Sequence, residues 1–156
     1  MAKKEFHLVS QVAVRLGKIG REKGLDALTS GERTVALTWW AAGIIGNGGF
    51  PYFFEGSCAD EGRYLVKEVA EAFDHLGFPQ AAKACREAAL FFPKGLLDES
   101  PKAVEEYMEE RGKKEVDAAF RPLNRVIWAL DDGDALTSCL AALIRKEGLD
   151  KKTGVV

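Results

Sequence analysis

Histidine and cysteine are scarce in this chain. His7 and His75 are the only histidines, and Cys58, Cys85 and Cys139 the only cysteines, in 156 residues. Neither histidine has a partner at ligand spacing, and the cysteines form no C-x-x-C pair and no Cys/His cluster, which excludes the common zinc signatures. Three cysteines this far apart do not suggest a disulfide framework. Each is read as a small buried apolar residue in a reducing compartment. A metal site would therefore have to be all-oxygen. The run Asp131-Asp132-Gly133-Asp134 is too short for a calcium loop and lacks its terminal glutamate, so it reads as a turn with an N-cap. No metal and no cofactor is expected.

Charge of one sign is also missing. Lys and Arg total 22 against 24 Asp and Glu, a net charge of −2. No global field draws such a chain onto nucleic acid or anionic lipid. Long apolar runs are absent too. The most apolar stretch, Val35 to Ile45, is well short of the ~20 residues that span a bilayer. The segment Met1 to His7 leads into no apolar stretch of signal-peptide type. These absences point to a cytoplasmic protein with no membrane partner and no direct nucleic-acid contact. Nucleophile signatures are missing as well: no serine lies in G-x-S-x-G, and Ser57-Cys58 has no nearby base in sequence. No catalytic residue is named, and the reading leans toward a non-catalytic protein.

What is present is helical spacing from end to end, without internal repeats. The spacing predicts a first helix over roughly 4–18, weakened at its end by Gly17, Gly20 and Gly24. Thr29-Ser30-Gly31-Glu32 is a capping box for a second helix. The body of that helix, Val35 to Ile45, is apolar nearly all round, which belongs at the centre of a bundle. Gly46-Asn47-Gly48-Gly49 is expected to stop it, followed by a short aromatic segment, Phe50 to Phe54. Further helices are predicted near 60–76, ended by Gly77; from Pro79 to about Phe92; from Ser100-Pro101; near 113–121, where Pro122 kinks the helix or begins a new one; and over 134–147, ended by Gly148. Linkers are short, so residues 1–156 read as one all-α domain, a bundle of seven or eight helices.

Three constellations carry functional weight. The glycine run at 43–49 follows a helix and fits neither phosphate-loop spacing, so it reads as a helix stop. The aromatic set Trp39, Trp40, Phe50, Tyr52, Phe53 and Phe54 reads as core, with a binding hot spot as the alternative. Glu105, Glu106, Glu109 and Glu110 place four carboxylates on adjoining faces of one helix, opposite Val104 and Met108. Over 98–117 there are eight acids against four bases, and over 55–75 six against two, whereas 1–34 has seven bases and four acids. That asymmetry suggests a docking face for a basic partner; the alternative is a solvated helix face.

Asn47-Gly48-Gly49-Phe50, followed by aromatics, resembles the motif of the bacterial DNA-mimic protein 19-like family. Two further blocks agree: Tyr64 to Pro93, with Leu-Gly-Phe-Pro, an alanine-rich helix and Phe-Phe-Pro; and Leu123 to Gly148, with an acidic turn and a final Leu-x-x-Leu-Ile-Arg helix. The resemblance covers about residues 25–148. It implies an all-helical fold, a mainly structural role for Asn47, Gly48, Gly49 and Phe50, a homodimer, and binding to a DNA-binding regulator by DNA-like charge. Where the family has a glutamine two residues after the phenylalanine, and an asparagine shortly beyond, this chain has Tyr52 and Glu55 or Gly56. The resulting expectation is a non-catalytic module that meets a basic protein partner through Glu105, Glu106, Glu109 and Glu110. The alternative is a small-ligand binder or enzyme that uses the loop 46–56.

Overall fold

A computed structural model describes residues 2–55, 65–132 and 134–151. Among them every regular element is helical: α1 (Ala2–Lys23), α2 (Ser30–Phe53), α3 (Val66–Leu76), α4 (Pro79–Ala89), α5 (Pro101–Arg111), α6 (Lys113–Asp132) and α7 (Ala135–Glu147), with 3-10 turns at Leu25–Ala27 and Leu96–Asp98. The expected all-α bundle is the observed fold. The central helix is α2, which packs against α1, α3, α6 and α7. Its all-round apolar surface explains that position: Val35, Ala36 and Leu37 follow one another at steps of about 100° around the helix, and all three are buried.

Local signals set several helix ends. The Thr29 hydroxyl accepts from the Glu32 N–H (3.2 Å), and the Glu32 carboxylate accepts from the Thr29 N–H (2.9 Å). The Ser100 hydroxyl accepts from the Ala103 N–H (3.1 Å), with Pro101 in the first turn of α5. Gly77 and Gly148 close α3 and α7 in the left-handed conformation.

Several boundaries differ from the sequence reading, each for a physical reason. α1 runs on past Lys18 to Lys23 because Gly17 and Gly20 sit inside the helix, where Leu25 and Leu28 cover Gly20. α2 does not stop at Gly46. It continues to Phe53 through a single non-helical residue, Gly49 (φ 74°, ψ −173°), so Phe50–Phe53 is helical rather than a loop. The expected start of the third helix, near 60, lies outside the described residues. α4 ends at Ala89, and turns carry the chain through Phe92. α6 passes Pro122 without a break, with Pro122 on its exposed side, so the helical bond that proline cannot donate is lost towards water. Asp134 occupies the cap position of α7, but with φ 54° and no side-chain cap bond. Cys85 is buried as expected, whereas Cys139 is only half-buried and its thiol points at the Leu76 carbonyl (3.6 Å). Cys58 lies outside the described residues.

The core beside the break in α2 is aromatic. Phe50, Phe53, Phe54 and Phe120 are at most 1 % exposed. Their rings meet one another and Phe92, with Phe54–Phe92 at 4.8 Å and Phe50–Phe120 at 6.0 Å between centroids. The aromatic set therefore divides. The three phenylalanines are core, but Trp39 and Trp40 are only half-buried and Tyr52 is exposed.

Candidate functional site

Asn47-Gly48-Gly49-Phe50 is a bend whose parts are accounted for one by one. In an unbroken helix the Phe50 N–H would donate to the Gly46 carbonyl, and residue 51 would donate to Asn47. Pro51 has no N–H to give. The Phe50 N–H instead donates to Asn124 Oδ1 on α6, at 2.7 Å and fully out of solvent. One turn further along α6, the Trp128 indole N–H donates to the Ile45 carbonyl at 2.8 Å. The i, i+4 spacing puts both side chains on one face of α6, where one supplies an acceptor and the other a donor to the broken segment. The two glycines serve different needs. Gly49 has a positive φ, and a Cβ there would stand 2.5 Å from Asn124 Nδ2. At Gly48 the obstacle is Tyr52, whose Cβ would lie 2.6 Å from a Cβ at 48. The break forfeits about 1 kcal/mol per lost helical hydrogen bond, whereas each buried phenylalanine that it aims inward contributes roughly 1.5–3 kcal/mol. Asn47 itself is exposed.

The acidic helix α5 is anchored by buried Val104 and half-buried Tyr107, whose ring meets Phe91 and Phe92 and lies under Arg111 at 5.0 Å. Glu105, Glu106, Glu109 and Glu110 are all exposed. Lys102 stands 3.9 Å from Glu106, one turn back. Lys113, Lys114 and Glu115 are exposed at the start of α6, and Asp98 and Glu99 in the turn before α5. The acids near 55–75 belong elsewhere. Glu68, Glu71 and Asp74 are on α3, which packs on α4 and α2, and Asp74 is held by Arg86 at 2.6 Å. Asp60 and Glu61 lie outside the described residues.

An apolar groove of about 410 Å³ lies between α1 and α2, and Tyr52 is the residue of the segment 46–56 that lines it. Burial pushes the Cys85 thiol up to about 12, against a weaker opposing pull from Arg86, and pushes Cys139 up as well. Burial lowers Arg15, partly offset by Glu32. Among the described residues no three His, Cys, Asp or Glu side chains converge as a metal-holding group, and no helix is long and apolar enough to cross a membrane. His7 is exposed and bonded to Gln11 at 3.1 Å, and His75 is exposed in the last turn of α3.

Sequence reasoning missed Asn124. Its signal is register: Val116, Phe120 and Ile127 form the buried stripe of α6, and a polar residue at position 124 within that stripe calls for a buried partner. It also missed Arg21, whose place on the groove depends on how α1 meets α2.

Comparison with known proteins gives one positive finding. The family model described as DMP19-like protein matches residues 26–147, most of the chain and nearly the span over which the motifs resemble that family. No curated protein and no solved structure matches the chain. The bend, its flanking helices and α5 to α7 all fall inside the matched span, and the chain belongs to the DMP19-like protein family.

Proposed function

We propose that this protein is a non-catalytic, protein-binding module of a bacterial cytoplasm, which docks a basic partner, such as a DNA-binding regulator, on the acidic face of α5. The observation that carries this reading is the exposure of Glu105, Glu106, Glu109 and Glu110 together on one short helix. Five residue steps at 1.5 Å rise place these four charges within about 7.5 Å of axis. That local density is close to the one charge per ~1.7 Å of duplex DNA. Membership of a DNA-mimic-like family supports the same direction. The density is not sustained, because Lys102 faces Glu106 and Lys113 and Lys114 follow directly. The reading is therefore an acidic docking face of limited extent rather than a full decoy of duplex DNA.

The test is affinity capture from the source cytosol with the wild-type chain and with Glu105, Glu106, Glu109 and Glu110 all replaced by lysine. The wild type should retain a basic protein at low salt and release it at high salt, and the reversed chain should not retain it. Equal recovery by both chains sinks the proposal. Competition by duplex DNA for the captured partner would extend the reading to DNA-like recognition.

A further inference from the structure

The apolar groove between α1 and α2 is remote in character from the acidic helix. Its walls include Val14 from α1 and Trp39, Trp40 and Ile44 from α2, with Tyr52 beyond the bend. Apolar surface is left open here: Val14 is 63 % exposed, and neighbouring Phe6, whose ring meets Trp39 at 5.2 Å, is 55 % exposed. The floor is cut by Gly17 and buried Gly20. A Cβ at Gly17 would meet a single neighbour, Arg21 Nη1 at 3.6 Å, so the guanidinium of Arg21 folds back along α1 over this gap. Arg21 is the one charged residue on the wall and has no ion pair among the described residues. The volume, about 410 Å³, lies within the roughly 300–1,000 Å³ of small-molecule sites, which combine apolar walls with a few polar groups.

We propose that this groove binds a small amphipathic anion, an apolar chain of medium length ending in a carboxylate, with the chain between Val14, Trp39, Trp40 and Ile44 and the carboxylate on Arg21. Charge complementarity selects this occupant. Arg21 is exposed, so an uncharged hydrophobe leaves the guanidinium to water, an amine is repelled by it, and a carboxylate accepts a two-pronged, charge-assisted hydrogen bond. The site is independent of the acidic face of α5, so it stands or falls apart from the docking proposal above.

The experiment titrates the full chain with decanoate, decanol and decylammonium below their micelle concentrations. The readings are tryptophan fluorescence and displacement of 1-anilinonaphthalene-8-sulfonate. Decanoate should bind saturably and most tightly. Arg21→Glu should weaken decanoate by about tenfold or more while leaving decanol unchanged. Arg21→Lys should recover part of the loss. Gly17→Leu, which fills the gap in a helical position, should abolish binding of all three with helix content intact. Equal affinity for the three compounds, or decanoate binding that survives Arg21→Glu, overturns the proposal. So does sedimentation showing that a second copy of the chain occupies the groove and is not released by decanoate.

Discussion

Asn124 and Gly49 form a pair in which each dictates the other. The carboxamide oxygen of Asn124 is the acceptor for the Phe50 N–H, and its amide nitrogen fills the space that a Cβ at position 49 would need. Asn124→Ala should cost about 1–3 kcal/mol, because it leaves a buried N–H without a partner. Gly49→Ala should cost at least as much, because strain from its positive φ adds to the clash. The two losses should be clearly less than additive in the double variant, since removing Asn124 also removes the clash. Urea denaturation of the four chains checks this, and full additivity would refute the coupling. Cys85 offers a pH signature. Its folded value of about 12 lies above the ordinary 9.0, so the folded state keeps the thiol neutral while the unfolded state ionises first. The stability associated with Cys85 is fully present below about pH 9 and is lost as pH rises towards 12. Cys85→Ala should remove that part of the alkaline slope, and thiol labelling mapped by mass spectrometry should find Cys85 protected until the chain unfolds.

At the scale of elements, helix ends and helix breaks answer to different forces. The capping box of α2 is local: Thr29 and Glu32 satisfy each other's amides within three residues. Thr29→Ala should therefore lower stability by about 1 kcal/mol, read as a shift in the denaturation midpoint with unchanged slope. The break at Gly49 is not local, because its acceptor arrives from 74 residues away. The glycines of 46–49 announce that something interrupts the helix, and local spacing reads that as a stop. What local spacing cannot weigh is that Phe50, Phe53 and Phe54 gain more by resuming the helical register into the aromatic core than the break loses. Pro122 is the converse case. A proline in a helical pattern suggests a boundary, yet an exposed position lets water take the orphaned carbonyl, and the apolar stripe of α6 holds the helix together.

For the whole molecule, the small net charge hides an uneven distribution. α1 has Lys3, Lys4, Arg15, Lys18, Arg21 and Lys23 against Glu5 and Glu22, whereas α5 has four glutamates against Lys102 and Arg111. A partner recruited by α5 should associate quickly at low salt and lose affinity as ionic strength rises, because exposed charges are screened within about 8 Å at physiological salt. The fold itself should barely respond, since the charge-reversed residues of α5 are exposed and such sites usually stay within about 0.5 kcal/mol. A salt series that measures partner retention and melting temperature side by side separates the two effects. If retention is salt-independent, the α5 face is not the determinant of binding.

Sequence alone determined the helical class, the central place of α2, the caps at Thr29, Ser100, Gly77 and Gly148, and the family resemblance. The class, the place of α2 and the caps depend on periodicity or on contacts within about one helical turn, whereas the resemblance rests on matched motifs such as Asn47-Gly48-Gly49-Phe50. The acidic face of α5 was legible for the same reason, because i, i+4 neighbours share a face wherever the helix lies. Tertiary structure decided the rest. It turned the glycine run into a bend clasped by Asn124 and Trp128, split the aromatic set into buried phenylalanines and half-open tryptophans, and set Arg21 beside an apolar groove. Each of these joins groups on different helices, and no local rule in one segment specifies which distant side chain will fill, bond or leave open the space beside it.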